Sequence, residues 1–219
     1  PKLREEAGAY YTPPEVVATQ VRLIEELLLT KLDRQLGFAT EDVVTLDPAM
    51  GTGSYLIHVI EQSAETVKSY LGPGVEVPAL EDMAERLIGF EIMVGPFAVA
   101  EVLVGGAFRR HSAEPGLRLY LTDSLDDPSK EEHQLGVIYE PIARSRREAN
   151  RVKIDTPVLV CLGNPPYDRH GPGQQIGGWV RYGSRAAGRP ILDDFRSNDQ
   201  GLGIVRACLV GDGRVAGSG

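Results

Sequence analysis

Alternating strands and helices predict an α/β protein built on a doubly wound, mostly parallel sheet. Three observations carry this. Four short apolar runs, Val43–Leu46, Leu87–Ile92, Leu117–Leu121 and Val158–Leu162, are separated by helical patterns or polar stretches. Each run ends in a polar or glycine-rich tip: Asp47 to Gly53, Glu91, Thr122-Asp123-Ser124 and Gly163-Asn164. Connections of this length between strands favour parallel pairing with crossovers, which gathers the tips at one edge of the sheet.

The composition bounds the reading before any motif does. With 42% hydrophobic and 25% charged residues, the chain can bury a sizeable core of one domain. The formal net charge of −8 excludes a protein that grips DNA with its whole surface, because phosphate contacts need clustered Lys and Arg. No apolar segment is long enough to span a bilayer and no basic-then-apolar leader opens the sequence, so a cytoplasmic protein without membrane contact is expected. Cys161 lies inside an apolar run and Cys208 near the C-terminus; the pair gives neither a disulfide framework nor metal-ligand spacing, and no structural metal is expected.

In chain order, residues 1–32 form an N-terminal helical element. Thr12 is expected as its N-cap, with Pro13 and Pro14 in the first turn and Glu15 completing a capping box. Val16, Val17, Val21, Ile24, Leu27 and Leu28 follow the helical spacing to about Leu32. Tyr10 and Tyr11, just upstream, read equally as a hydrophobic staple.

The first strand feeds Asp47-Pro48-Ala49-Met50-Gly51-Thr52-Gly53, and a helix follows from about Ser54 to Tyr70. Strand, glycine turn, helix is the opening unit of a doubly wound sheet, where ligands bind at the carboxyl ends of strands. Gly51 and Gly53 permit positive φ and a close backbone approach to a ligand. The turn is neither a Walker loop nor a strict dinucleotide fingerprint. After Gly72-Pro73-Gly74, a helix over about Ala79 to Arg86 precedes the second strand. Glu91 at that strand's tip can accept both hydroxyls of a ribose, or serve as the carboxylate of a helix start, since a helical pattern resumes at Pro96.

Asp123 ends the third strand, as an acceptor for an exocyclic amine or as an Asx-turn residue. The region Asp126 to Lys153 holds the basic cluster Arg144, Arg146, Arg147, Arg151 and Lys153, expected mainly as a solvated helix face. The fourth strand ends in Asn164-Pro165-Pro166-Tyr167. Two prolines stiffen the backbone and leave carbonyls as acceptors. An amide oxygen and a proline carbonyl can take both protons of an exocyclic amine while Tyr167 stacks on the attached planar base. Residues 169–195 read as a flexible loop, and 196–219 as a tail without a sustained period.

Taken together, Gly8 to Pro13, Asp47 to Gly53, Glu91, Asp123 and Asn164 to Tyr167 resemble the adenine-N6-specific DNA methyltransferases that use S-adenosyl-L-methionine, in the linear order that begins with the Tyr-Tyr-Thr-Pro element. The likeness is closest to the methylase part of large single-chain restriction-modification enzymes. It implies a Rossmann-like fold of the S-adenosylmethionine-dependent type, with residues 33–168 as a partial catalytic core. It also implies cofactor contacts from Tyr11, Thr12, Pro13, Asp47, Pro48, Ala49, Gly51, Gly53, Glu91 and Asp123. Catalysis would fall to Asn164, Pro165, Pro166 and Tyr167, acting on an adenine flipped out of double-stranded DNA.

Members of this family continue past the catalytic motif with further sheet and a target-recognition domain. About 50 residues follow Tyr167 here without that pattern. The sheet is therefore expected to be incomplete at its C-terminal end, with recognition supplied by a missing domain or a partner chain, and the isolated chain is expected to lack site-specific methylation. The residue chemistry also admits methylation of a protein glutamine or an RNA base, or an inactive remnant that binds cofactor. A nicotinamide oxidoreductase fits poorly, since nothing in that chemistry calls for Asn-Pro-Pro-Tyr.

Overall fold

Alternation along the strands sorts their side chains into two cores. A computed structural model of the chain describes residues 12–128 and 140–165. Strands β1 (Thr45–Asp47), β2 (Leu87–Glu91), β3 (Arg118–Leu121) and β4 (Val160–Cys161) form one sheet in the order β3-β2-β1-β4, every pair parallel. Leu87 and Leu119 point to one face, Ile88, Phe90 and Tyr120 to the other. Near-continuous burial of β2 is what a strand covered on both sides requires.

The larger core packs the first face against α1 (Pro14–Lys31), α2 (Ser54–Leu71), α3 (Glu76–Ala84) and α4 (Val94–Arg110). A 3-10 turn at Gly37–Ala39 joins it, with Phe38 fully buried. The smaller core packs the second face against α5 (Glu140–Asp155) through Ala149 and Val152, and Phe90 meets Tyr120 edge-on at 6.1 Å. Helices on both faces make this the doubly wound α/β architecture expected.

Strand order places the site. From β1 the chain steps outward to β2 and β3, then returns through α5 to lay β4 on the other side of β1. The β1–β4 boundary is thus the topological switch point, the place where sheets of this kind bind ligands at the carboxyl ends of their strands.

Several boundaries depart from expectation. Helix α3 runs over 76–84, starting and ending earlier than Ala79 to Arg86, because Glu76 bonds back to the Gly74 N–H at 2.5 Å and starts the turn there. Helix α4 begins at Val94, ahead of Pro96, which its first turn tolerates since no N–H is needed there. The fourth strand is confined to Val160–Cys161, with flanking bonds from Leu159 and Val160 to the Val44 carbonyl and from Leu162 to the Leu46 carbonyl. Thr12 is not the cap of α1. Pro13 holds that position, no side chain caps the helix, and the Val16 and Val17 N–H groups bond to the Pro13 carbonyl. The expected capping box therefore does not form, and the Thr12 hydroxyl is engaged elsewhere.

Candidate active site

Parallel pairing aligns three of the predicted tips side by side. Asp47 lies opposite Gly89, so Glu91 reaches two residues beyond it, and Leu46 lies opposite Cys161, which sets Gly163 and Asn164 against the turn that leaves β1.

Glu91 organises the turn. Its carboxylate is buried, accepting the Gly51 N–H on Oε2 at 2.9 Å and the Met93 N–H on Oε1 at 2.7 Å. One side chain thereby ties the glycine turn after β1 to the chain entering α4. A further bond from Met50 N–H to the Phe90 carbonyl at 2.9 Å reinforces the link. Glu91 thus holds the Met93 N–H at the entry to α4, and each oxygen still has a lone-pair direction beyond the one its backbone partner uses.

The two glycines of the turn serve different ends. Gly51 has φ +56°, and a Cβ built there would meet nothing within 4 Å, so its outer side is open. Gly53 has φ +87°, and a Cβ there would stand 2.7 Å from Val104 Cγ2. The close approach at Gly53 is to helix α4, while the Cβ direction of Gly51 faces open space that a bound molecule could occupy.

Asp47 is fully buried at the end of β1. Its Oδ1 accepts the Ala49 N–H at 3.0 Å in an Asx-type turn, while Oδ2 has no hydrogen-bond partner among the described residues. Gly163 packs directly on it, since a Cβ there would lie 2.4 Å from Oδ1. Burial pushes the Asp47 carboxyl up to about 8 from the ordinary 3.8; the Ala49 N–H opposes this and the Glu91 carboxylate adds to it. A carboxyl raised on folding keeps its proton in the window between those values, where the unfolded chain has released its own. Its contribution to stability is therefore full at acid pH and is lost as pH rises toward 8. Asp47→Asn is expected to flatten the fall in stability between pH 5 and pH 8, which Asp47 makes as steep as about 1.4 kcal/mol per pH unit. Thermal unfolding of both proteins across that range checks it, and an unchanged slope would mean that Asp47 is ionised in the folded chain.

The loop after β3 is tied to the same turn. Ser124 Oγ donates to the Pro48 carbonyl, and Asp123 Oδ1 accepts the Leu125 N–H at 2.9 Å, which is the Asx-turn geometry. Lys153 departs from the rest of its cluster. Arg144 and Arg147 pair with Glu148 and Glu140 on the exposed face of α5, as a solvated face does. Lys153 Nζ instead donates to the Asp123 carbonyl at 2.6 Å and the Asp126 carbonyl at 3.3 Å, and stands 5.8 Å from the Phe90 ring centroid. Burial lowers its pKa, with Asp126 and Asp123 working against that. Sequence reasoning passed over Lys153 as one of a run; its position in the last turn of α5, ahead of β4, is the signal that distinguishes it.

Asn164 and Pro165 leave β4 at the switch point, half-buried. The Asn164 Nδ2 donates to Thr12 Oγ1 at 2.8 Å, so the first and last predicted motifs meet although 152 residues separate them. Tyr11, Pro166 and Tyr167 lie outside the described residues, as do the proposed loop 169–195 and tail 196–219. The structure brings together Thr12, Pro13, Asp47 to Gly53, Glu91 and Asn164 at one edge of the sheet, with Asp123 joined through Ser124.

A family model described as N-6 DNA Methylase matches residues 1–176. Among solved structures, the chain is similar to a nuclease-deletion mutant of the Type ISP restriction-modification enzyme LlaGI in complex with a DNA substrate mimic. That match has a TM-score of 0.61 at 22% identity, covering 74% of this chain and 13% of that one. The ATP-dependent Type ISP restriction-modification enzyme LlaBIII bound to DNA matches with a TM-score of 0.62 at 20% identity, over 74% of this chain and 10% of that one. A DrdV–DNA complex matches with a TM-score of 0.58 at 24% identity, over 77% of this chain and 15% of that one. The chain thus spans between 10% and 15% of the length of these structures, and the likeness is one of fold. No curated protein matches it significantly. Among the described residues, no helix is long and apolar enough to cross a membrane.

Proposed function

Because the chain belongs to the N-6 DNA methylase family, we propose that it carries the catalytic core of an enzyme that methylates the exocyclic N6 amine of adenine in double-stranded DNA, with S-adenosyl-L-methionine as donor, within a restriction-modification system. The observation that carries this reading is the placement of the Asn164 carboxamide at the β1–β4 switch point, next to the glycine turn that Glu91 holds.

The residues present fit the cofactor. Gly51 leaves open the space that a Cβ would enter, and the buried Asp47 Oδ2 lacks a partner. Glu91 would receive the ribose hydroxyls on its second lone pairs, and Asp123 would meet the adenine of the cofactor. When bound, the cofactor would supply a methyl group activated by its sulfonium, the N–C bond forming as the S–C bond breaks, with one amine proton passing to solvent water.

The chain's own groups then position the target. Asn164 Oδ1 and the Pro165 carbonyl accept the two amine protons, directing the nitrogen lone pair and stabilising positive charge as it develops there. No strong base is called for. Extruding the adenine costs a few kcal/mol of unstacking, and stacking on Tyr167 returns about 1–3 kcal/mol. Choice of target sequence would come from a recognition domain or partner chain, in keeping with the small share of the similar DNA-bound structures that this chain spans.

Titration calorimetry with S-adenosylmethionine, followed by transfer of labelled methyl groups to adenine-containing duplex DNA, tests the reading. Micromolar cofactor binding is expected, with label recovered as N6-methyladenine but without preference for a target sequence. Label on cytosine, RNA or protein glutamine alone would replace the substrate assignment, and a folded chain without cofactor affinity would overturn the function.

A further inference from the structure

The carboxamide of Asn164 is held from the opposite end of the chain. Its Nδ2 donates to Thr12 Oγ1, and Thr12 stands immediately ahead of the Pro13 that opens α1. That helix is rigidly seated, since Val17, Val21, Ile24 and Leu28 are buried in the main core. Thr12 performs no capping: no side chain caps the helix, and the Val16 and Val17 N–H groups bond to the Pro13 carbonyl. The hydroxyl is thus spent on the Asn164 amide rather than on its own helix.

An asparagine amide carries a donor on one arm and an acceptor on the other, and a half-turn about its terminal torsion exchanges them with little change of shape. An amine presented to the donor arm would meet donor with donor. Anchoring Nδ2 on an acceptor therefore decides which arm the amine meets. On the reading of Asn164 given above, we propose that Thr12 is a positioning residue for methyl transfer: by accepting from Nδ2 it fixes the amide so that Oδ1 faces the target amine. Its effect falls on turnover and not, as the resemblance implied, on cofactor affinity.

Two measurements on the full chain test this. Thr12→Val removes the acceptor and keeps the shape, while Thr12→Ser keeps the hydroxyl. In isotope-labelled protein, the Asn164 side-chain amide resonances, identified by their loss in Asn164→Ala, are expected to shift in Thr12→Val. Their exchange with water should accelerate about tenfold, in line with the loss of one hydrogen bond. Thr12→Ser should restore both. Resonances and exchange unaltered by Thr12→Val would overturn the proposal.

In methyl transfer at saturating cofactor, Thr12→Val is expected to lower kcat by about 10- to 100-fold with the cofactor Kd unchanged, and Thr12→Ser to recover most of it. A weakened Kd with kcat retained would return Thr12 to a cofactor contact and overturn the positioning role. Should the unmodified chain transfer no methyl group, the proposed function fails for this chain, and the amide resonances still decide the role of Thr12.

Discussion

Asn164→Ala is expected to lower methyl transfer by at least about 100- to 1000-fold, while S-adenosylmethionine binds with nearly its original affinity. The size follows from the role proposed for the side chain at the reacting nitrogen. An acceptor fixed at the place where charge develops is worth far more in the transition state than in the ground state, and removing one such group typically costs that much in rate. Cofactor affinity is spared because the glycine turn and Glu91 are bonded to each other, through Gly51 and through Met50 to Phe90, without passing through Asn164. Single-turnover transfer of labelled methyl groups, run beside calorimetric titration, separates the two effects. A variant that keeps most of its activity would remove Asn164 from the mechanism.

The strands and the residues at their tips were legible in the sequence because each depends on local pattern, whereas the order β3-β2-β1-β4 came from the structure. Apolar runs such as Leu87 to Phe90 announce a strand buried on both faces, and a polar residue after each run marks its carboxyl end. The parallel register then followed from the crossovers. What the sequence concealed were bonds between distant residues. Thr12 reads as a helix cap because Ser and Thr ahead of a proline-opened helix usually are, and only the fold brings Asn164 within reach of its hydroxyl.

Lys153 is hidden in the same way, a lysine among arginines until the third strand lays the Asp123 carbonyl beside it. Gly53 shows the reverse case. Its glycine was expected for a ligand, yet a neighbour far along the chain, Val104, explains it. Local signals thus marked the strand tips, while the contacts of Thr12 with Asn164 and of Gly53 with Val104 came from the packing.

Glu91→Gln is expected to destabilise the fold by about 1–3 kcal/mol and to weaken cofactor binding at least tenfold. The substitution preserves size and hydrogen-bonding reach, so the effect isolates the chemistry of the two arms. In the native chain both oxygens accept backbone N–H groups, from Gly51 and from Met93, in a buried setting. Glutamine offers one oxygen and one amide nitrogen, so one N–H must face a donor and stay unsatisfied, whichever way the side chain turns. If Gly51 loses its bond, the turn after β1 loosens; if Met93 does, the start of α4 frays. Either way a ribose bound as proposed would also lose one of two charge-assisted acceptors. Thermal unfolding reads the first effect and calorimetric titration the second. Lower stability with undiminished cofactor affinity would confine Glu91 to holding the turn and would withdraw it from the binding site. Weakened affinity at unchanged stability would mean that its bonds to Gly51 and Met93 contribute little beyond presenting the carboxylate to the ligand.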